Sequence, residues 1–212
     1  HINNANSMIR NRNYNEAVNE ANKALNYMNT YEYVNKVDNI NNTINTIYKE
    51  ILANKHIENA KKLLKEEKYS GAVEEANKAI LISENSATRS NGKIVKLDVA
   101  DKFMTFAEVS FEKQLFSKSL EQGQLAVGYS DYDDKYLKRF ENLKETIRIK
   151  KIEIKADLYI ENAKEFMNNK DYYNTLEEAK NIPSPTKTEL KETTLRMILE
   201  KVDASELELF KW

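Results

Sequence analysis

The chain has 212 residues, of which 41% are apolar and 32% are charged, with only 4 Gly and 2 Pro. This composition favours helices, because the residues that usually mark loops are scarce. A net charge of −1 gives no overall attraction to nucleic acid or to an anionic membrane surface. The lack of cysteine excludes disulfides, thiol catalysis and cysteine-based metal sites.

The clearest pattern in the sequence is a helix-like segment that occurs four times. Residues 13–25 read NYNEAVNEANKAL, residues 68–80 read KYSGAVEEANKAI, and weaker copies begin near Phe116 and Tyr172. In every copy an aromatic residue is followed at three, seven and ten residues by small or apolar residues, which lie on one side of a helix. An alanine stands nine residues before each aromatic residue: Ala5, Ala60, Ala107 and Ala163. Because these alanines belong to a preceding helix, each copy is predicted to be the second helix of a hairpin.

The spacing between the copies indicates that the first helices are long. The stretches between the copies are much longer than a short helix needs, and residues 33–54, 94–115 and 132–167 carry apolar residues at helical spacing without Gly or Pro. We therefore expect first helices of roughly 30 residues, with an additional third helix in each unit as the alternative. The predicted units form one continuous array, with these approximate bounds: 1–30, 31–84, 85–130 and 131–182.

Polar and turn-forming residues are predicted to separate these units. Asn29 and Thr30 precede the first long segment, and residues 83–92 form a polar stretch before the second. Gly128 followed by Asp131 is predicted to stop one helix and to cap the next.

The hairpins resemble the tetratricopeptide repeat. The register of Tyr69, Ala72 and Ala79, with Ala60 in the first helix, matches the aromatic and small positions of that repeat. The period is longer than the family's period of about 34 residues. The family's aromatic residue in the middle of the second helix is replaced by small residues: Ala21, Ala76, Gly123 and Ala179. The expected fold is all-α, an elongated array of about four antiparallel hairpins with long first helices, followed by a capping helix and tail over 183–212.

The resemblance also implies a binding surface. In the tetratricopeptide family the first helices line a concave surface that binds an extended peptide or a partner helix. The matching positions in three units are Ile57, Lys61 and Leu64; Met104, Glu108 and Phe111; and Ile160, Lys164 and Met167. The alternative is that the apolar members of this set are ordinary core, since apolar residues at helical spacing usually pack between helices. The family's clamp for a C-terminal carboxylate is not expected, because its Lys and Asn positions are Ile2 and Asn6 here.

No arrangement of residues predicts an enzyme, a metal site or a cofactor site. Glycine-rich phosphate motifs and nucleophile elbows are absent from the sequence. His56 has no second His or Cys to complete a zinc site, and we interpret it as a solvated side chain. The acidic residues Asp131, Asp133 and Asp134 lack the other ligands of a calcium loop and indicate a helix N-terminus. The basic run 148–155 has isoleucines at core spacing, so we interpret its charges as solvated rather than as a nucleic-acid site.

The expected function is that of a non-enzymatic interaction or scaffold module whose partner is another protein or peptide. The alternative is a structural spacer, or a regulatory module attached to a membrane anchor or a catalytic domain outside these residues. Nucleic-acid binding is not expected. Direct membrane insertion is not expected either, because no window approaches 18 consecutive apolar residues. An oligomer is compatible with the sequence but is not predicted.

Two further observations concern the origin of the chain. Its start at His1 rather than Met indicates a fragment or a processed product. Together with the lack of cysteine, this start favours the extracytoplasmic part of a membrane-anchored or secreted bacterial protein, with a cytoplasmic adaptor as the alternative. Asparagine is over-used in the segment 1–60. An AT-rich genome explains this excess, and a functional asparagine surface is the alternative explanation.

Overall fold

The chain folds into α-helices. A computed structural model describes residues 1–183, together with Arg196 and Glu200. Residues 1–183 contain no strand and eight helices: α1 (Ile2–Arg10), α2 (Tyr14–Tyr27), α3 (Tyr31–Lys65), α4 (Tyr69–Ile82), α5 (Ser86–Glu112), α6 (Phe116–Tyr129), α7 (Asp134–Asn168) and α8 (Tyr172–Lys180). The predicted all-α fold is therefore confirmed for these residues. Apart from Pro183, Arg196 and Glu200, the predicted capping helix and tail over 183–212 lie outside the described residues.

Long helices alternate with short ones from α3 onward, as the spacing of apolar residues predicts. Helices α3, α5 and α7 contain 35, 27 and 35 residues, and each is one uninterrupted helix rather than two. The interval from Tyr69 to Phe116 is shorter than the interval from Tyr14 to Tyr69, and this shortening arises within α5. Within residues 1–183, no helix has a stretch that is both long and apolar enough to cross a membrane.

Each first helix is joined to the following short helix by a turn with the same backbone geometry. One residue of each turn is left-handed although it is not glycine: Arg12 (φ 62°), Glu67 (φ 59°), Gln114 (φ 57°) and Lys170 (φ 60°). In the second turn the N–H of Glu67 donates to the carbonyl of Leu64 at 3.1 Å, and the N–H of Lys68 donates to that of Leu63 at 2.9 Å. The other three turns have the same two hydrogen bonds. This Schellman motif satisfies carbonyl groups at the end of the first helix.

Small side chains bring the two helices of the first pair and of the second pair close together. The alanine of the first helix has 0% exposure in all four copies: Ala5, Ala60, Ala107 and Ala163. The residue three positions after the aromatic residue is equally buried in each copy: Ala17, Ala72, Ser119 and Thr175. A larger side chain at either position would push the helices apart, because protein interiors are close-packed. The repeat in the sequence is therefore a repeat of packing positions.

The described residues form two compact units. The first unit comprises His1–Ala107 and Glu121–Leu137. The second unit comprises Glu108–Leu120 and the described residues from Lys138 onward. Helices α1 to α4 belong entirely to the first unit, and α8 belongs entirely to the second.

In the first unit, the beginning of each long helix covers the preceding pair of helices. Val37, Ile40 and Ile44 of α3 are buried against α1 and α2. At the positions of α5 that are equivalent to Ile40 and Ile44, Val95 and Val99 are buried against α3 and α4. The additional turns of the long helices therefore supply apolar surface to the pair before them.

In the second unit, polar contacts connect successive helices. Arg139 of α7 donates a hydrogen bond to Glu108 of α5 at 2.7 Å. Asn162 of α7 donates one to Glu178 of α8 at 3.3 Å, next to the fully buried Ala163. Small residues and short polar bridges thus hold α7 and α8 together.

The connection between α4 and α5 is shorter than the sequence predicts. Residues 83–92 are predicted to be a turn, but only residues 83–85 lie outside the helices. The side chain of Asn85 accepts a hydrogen bond from the N–H of Ala87 at 2.8 Å and so caps α5. Gly92 therefore lies inside α5 rather than in a loop.

The predicted N-cap at Asp131 is wrong. The cap of α7 is Asp133, whose carboxylate accepts a hydrogen bond from the N–H of Lys135 at 2.9 Å. Helix α6 continues past Gly128, and Asp131 follows it with a φ of 56°. The carboxylate of Asp131 instead binds Nζ of Lys96 at 2.5 and 2.6 Å. Lys96 is only 6% exposed, and a buried ammonium group requires such a partner.

Two glycines provide a matched test of the packing between α4 and α5. A Cβ at Gly92 would lie 2.7 Å from Cγ1 of Ile80 and 3.1 Å from the carbonyl oxygen of Ala76, whereas a Cβ at Gly128 would meet nothing within 4 Å. Because alanine is preferred to glycine in helices, Gly128→Ala should raise the free energy of unfolding by about 0.5 kcal/mol. Gly92→Ala should lower it by about 1 kcal/mol in urea denaturation, because the neighbouring residues must shift. Equal stabilisation by both variants would contradict the close approach of α4 and α5.

The left-handed turn residues provide a second test. Gln114→Gly should raise the free energy of unfolding by about 0.5–1 kcal/mol, because glycine adopts a positive φ without the steric cost that other residues have. The control is Ser117→Gly in the first turn of α6, where glycine should lower the free energy of unfolding by a similar amount. Thermal unfolding followed by circular dichroism measures both changes. A lower melting temperature for Gln114→Gly would be inconsistent with the turn geometry.

Candidate partner-binding grooves

Two open grooves lie between successive first helices of the first unit. The α1–α3 groove has a volume of about 630 Å³ and is lined by Ile2, Asn3, Asn6, Ile9, Arg10, Lys36, Asn39, Ile40 and Thr43. The α3–α5 groove has a volume of about 540 Å³ and is lined by Leu64, Lys65, Glu67, Tyr69, Asp98, Asp101, Lys102 and Thr105. Each groove is therefore formed by two helices that are not consecutive in the chain.

The α1–α3 groove has an apolar floor and polar sides. Ile40 is buried at the floor with 5% exposure, and Ile2 and Ile9 are half-buried beside it. Exposed side chains with hydrogen-bonding groups surround this floor: Asn3, Asn6, Asn39 and Thr43. Such a surface can bury apolar groups of a ligand while its carboxamides pair with polar groups, because each carboxamide both donates and accepts.

The charged residues that line the α1–α3 groove are both cationic. Arg10 lies in the last turn of α1, and its exposed side chain has no hydrogen bond or ion pair with any described residue. Lys36 forms an ion pair with Glu32, one turn earlier in α3, and its Nζ lies 5.0 Å from the ring centre of Tyr33. The hydrogen bond from Lys36 lowers the pKa of Glu32. Since Glu32 already pairs with Lys36, Arg10 is the cation that is available to a ligand.

A recess continues the α1–α3 groove towards α2. The recess has a volume of about 680 Å³, shares part of the groove lining, and adds five residues: His1, Ala24, Tyr27, Met28 and Tyr33. Tyr27 is 80% exposed and stacks on the ring of His1 with the ring centres 5.1 Å apart. The residues lining the recess include no carboxylate.

The α3–α5 groove differs in its charge and in its base. Its lining contains both signs of charge: Lys65, Lys102, Glu67, Asp98 and Asp101. At its base the ring of Tyr69 contacts the rings of Phe103 and Phe106 edge to face, with centre distances of 5.5 and 6.0 Å. Burial raises the pKa of Tyr69, so its hydroxyl stays neutral at physiological pH. This groove therefore has an aromatic base and no preference for one sign of charge.

The nine residues predicted to bind a partner fall into three classes that repeat from unit to unit. The first position is buried: Ile57 (4%), Met104 (0%) and Ile160 (6%). The second position is exposed: Lys61, Glu108 and Lys164. The third position is half-buried: Leu64, Phe111 and Met167. Because a buried side chain offers no area to a partner, the first position agrees with the alternative that these residues are core.

Of these nine residues, Leu64 alone lines one of the two grooves. The ring of Phe111 packs near that of Phe116, with the ring centres 6.1 Å apart. Met167 packs against Ala163 in the second unit. These half-buried residues therefore contribute at least part of their surface to the contacts within the chain.

None of the residues predicted from the sequence to bind a partner lines the α1–α3 groove. Those predicted on α3 lie near its end, at residues 57–64, whereas α1 lies beside residues 36–43 near the beginning of α3. One signal for the groove is present in the sequence. The excess of asparagine in the segment 1–60 includes Asn3, Asn6 and Asn39, and a functional asparagine surface is one explanation of that excess.

A polar cluster joins the two helices in each of the first two pairs. In the second pair, Nδ1 of His56 lies 2.7 Å from a carboxylate oxygen of Glu75, which also accepts hydrogen bonds from Asn59 at 3.4 Å and from Lys78 at 2.8 Å. The same residue types form the same contacts at the equivalent positions of the first pair: His1, Asn4, Glu20 and Lys23. The interpretation of His56 as a solvated side chain is therefore wrong, since it is hydrogen-bonded and its side chain is 20% exposed.

The cluster around Glu75 stabilises its ionised carboxylate. Hydrogen bonds from His56 and then from Lys78 lower the pKa of the Glu75 carboxyl to about 2. The same polar cluster recurs at the equivalent positions of the first pair. We therefore interpret it as part of the contact between the two helices of a pair. Within residues 1–183, no group of three or more His, Cys, Asp or Glu side chains has the arrangement of a metal site.

No family model, no curated protein and no solved structure matches this chain. The fold itself defines the class of protein: a repeat-like series of eight helices in residues 1–183 whose neighbouring helices are in contact, which is compatible with a helical hairpin repeat.

The polar cluster generates a prediction about pH. Glu75→Gln should lower the free energy of unfolding by about 1–2 kcal/mol at pH 7, because the carboxylate accepts bonds from three partners. The pKa of about 2 in the folded state lies below the usual value of 4.5. The carboxylate therefore contributes fully to the free energy of unfolding above about pH 4.5, and this contribution decreases as the pH falls towards 2. Urea denaturation across this range should show that the free energies of unfolding of the wild type and of the variant converge as the pH falls.

The control for this prediction is the neighbouring Glu74. Its side chain is 69% exposed and pairs with Lys78 alone, so Glu74→Gln should change the free energy of unfolding by less than about 0.5 kcal/mol. If the free energy of unfolding of Glu75→Gln stays below that of the wild type by a constant amount from pH 5 to pH 2, the ionised form of Glu75 does not stabilise the fold.

Proposed function

We propose that this chain is a non-enzymatic interaction or scaffold module, built from tetratricopeptide-like hairpins, that binds a segment of a partner protein between its first helices. The observation that carries the proposal is the pair of open grooves, one between α1 and α3 and one between α3 and α5. Each groove combines half-buried apolar or aromatic side chains with exposed polar ones. This combination suits a peptide, because its side chains need apolar contacts and its backbone needs hydrogen-bonding partners.

The repeated positions support the same proposal. The small residues that pack the helix pairs recur in every copy, so the scaffold is regular, whereas the groove linings differ from each other in charge and in aromatic content. A regular scaffold with variable grooves is typical of repeat proteins that bind other proteins.

A structural spacer is the second candidate. It is favoured by the uninterrupted length of α3 and α7, which at 35 residues each extend over roughly 52 Å. A spacer, or a regulatory module whose activity depends on a domain outside these residues, would bind nothing in the grooves. The two candidates therefore differ in a measurable property of the groove surfaces.

Three threonines form a matched set for testing groove binding. Thr43 lines the α1–α3 groove, Thr105 lines the α3–α5 groove, and Thr146 lies on α7 and lines neither of them. All three are exposed, and each hydroxyl donates to the carbonyl four residues earlier, at 2.8, 2.9 and 2.8 Å respectively. Replacement by glutamate therefore removes the same hydrogen bond and adds the same volume and charge at each position.

The prediction is that proteins retained by the immobilised chain from an extract of its source organism bind about tenfold less to Thr43→Glu or Thr105→Glu. Thr146→Glu should retain them as the wild type does. Circular dichroism and melting temperature should be unchanged in all three variants, because the residues are exposed. Equal retention by all variants would contradict binding in either groove and would favour the spacer.

A further inference from the structure

We propose, as a refinement that rests on the proposed function, that the α1–α3 groove binds an extended partner segment in which acidic and apolar residues alternate. The charge of the groove supports this choice. The whole chain contains 34 acidic residues, yet the lining of the groove and of its recess includes none of them. The α3–α5 groove includes three acidic residues and provides no such preference.

Arg10 provides a specific place for a carboxylate. Its side chain is exposed at the end of α1 and has no hydrogen bond or ion pair with any described residue. A guanidinium group presents parallel N–H donors that match the two oxygens of a carboxylate. Lys36 adds a second cation on the α3 side, although Glu32 already pairs with it. A partner carboxylate would therefore bind mainly to Arg10.

The carboxamides favour an extended segment over a helix. Asn3, Asn6 and Asn39 are exposed around the groove and offer both donors and acceptors. A helix satisfies its own backbone groups, whereas an extended backbone has unpaired N–H and C=O groups that such side chains can bind. The groove therefore suits a ligand whose backbone is available.

The apolar floor explains the alternation. Successive side chains of an extended segment point in opposite directions, so every second residue would face Ile2, Ile9 and Ile40. The residues between them would point away from the floor, towards the opening of the groove, where the side chain of Arg10 is exposed. Helix α1 has 9 residues and is roughly 14 Å long, so about four extended residues would cover it.

The test uses a fluorescein-labelled peptide of about eight residues in which glutamate and leucine alternate, with a glutamine–leucine peptide as the neutral control. Fluorescence anisotropy measures binding to the whole chain at about 50 and 200 mM salt. The acidic peptide should bind more tightly than the neutral one and should lose affinity as salt rises. Arg10→Glu should weaken its binding by about tenfold.

The matched control variant is Arg12→Glu. This variant changes the net charge by the same amount as Arg10→Glu. Arg12, however, lies in the turn after α1 and does not line the α1–α3 groove. Glutamate fits its left-handed backbone, because the equivalent turn residue Glu67 has nearly the same φ. Arg12→Glu should therefore change the affinity by less than about twofold.

The possible outcomes separate this refinement from the function on which it rests. Equal weakening by Arg10→Glu and Arg12→Glu, or no binding of the acidic peptide, would overturn the refinement. If the neutral peptide binds as well as the acidic one and Thr43→Glu abolishes its binding, the groove binds peptides but has no acidic preference, which also overturns the refinement. If Thr43→Glu affects neither peptide binding nor the capture of partners, the proposed function of this groove fails as well.

Discussion

The contact between small residues within each helix pair is the constraint on which the rest of this structure depends. Because Ala60 and Ala72 are fully buried, the helices of a pair meet through short side chains with no room between them for large ones. Large apolar side chains from the beginning of the next long helix then cover each of the first two pairs, as Ile40 and Ile44 do on the first pair and Val95 does on the second. The additional turns of the long helices thus provide the core that a hairpin of alanines lacks.

This division of the packing also determines where the grooves lie. Helix α1 lies beside the additional turns at the beginning of α3, so its groove is lined by Lys36, Asn39 and Thr43 rather than by residues 57–64. The lengthening of the first helices therefore has two effects. It buries apolar residues on one side of the helix, and it brings a new set of polar residues beside the preceding first helix.

The sequence predicts the positions of the helices better than it predicts the contacts between them. Apolar spacing reports burial along one segment, so the long helices could be located without the structure. The same spacing does not distinguish a groove from a core, and Ile57, Met104 and Ile160 are core. The partner of His56 is also invisible in the sequence, because Glu75 lies on another helix and its contact depends on how the pair packs. The turns carry no glycine signal, since residues such as Gln114 adopt the left-handed conformation.

The third helix pair shows how the two grooves come to differ. At the positions of α5 that correspond to His56 and Asn59 of α3, the chain has Phe103 and Phe106. The polar cluster of the second pair connects only the helices of that pair, whereas these two rings contact Tyr69 of the preceding pair. The α3–α5 groove therefore has an aromatic base that links two pairs. The α1–α3 groove depends on the packing of the short helix α1 on α3, so a segment bound to both helices would stabilise that pair by mass action.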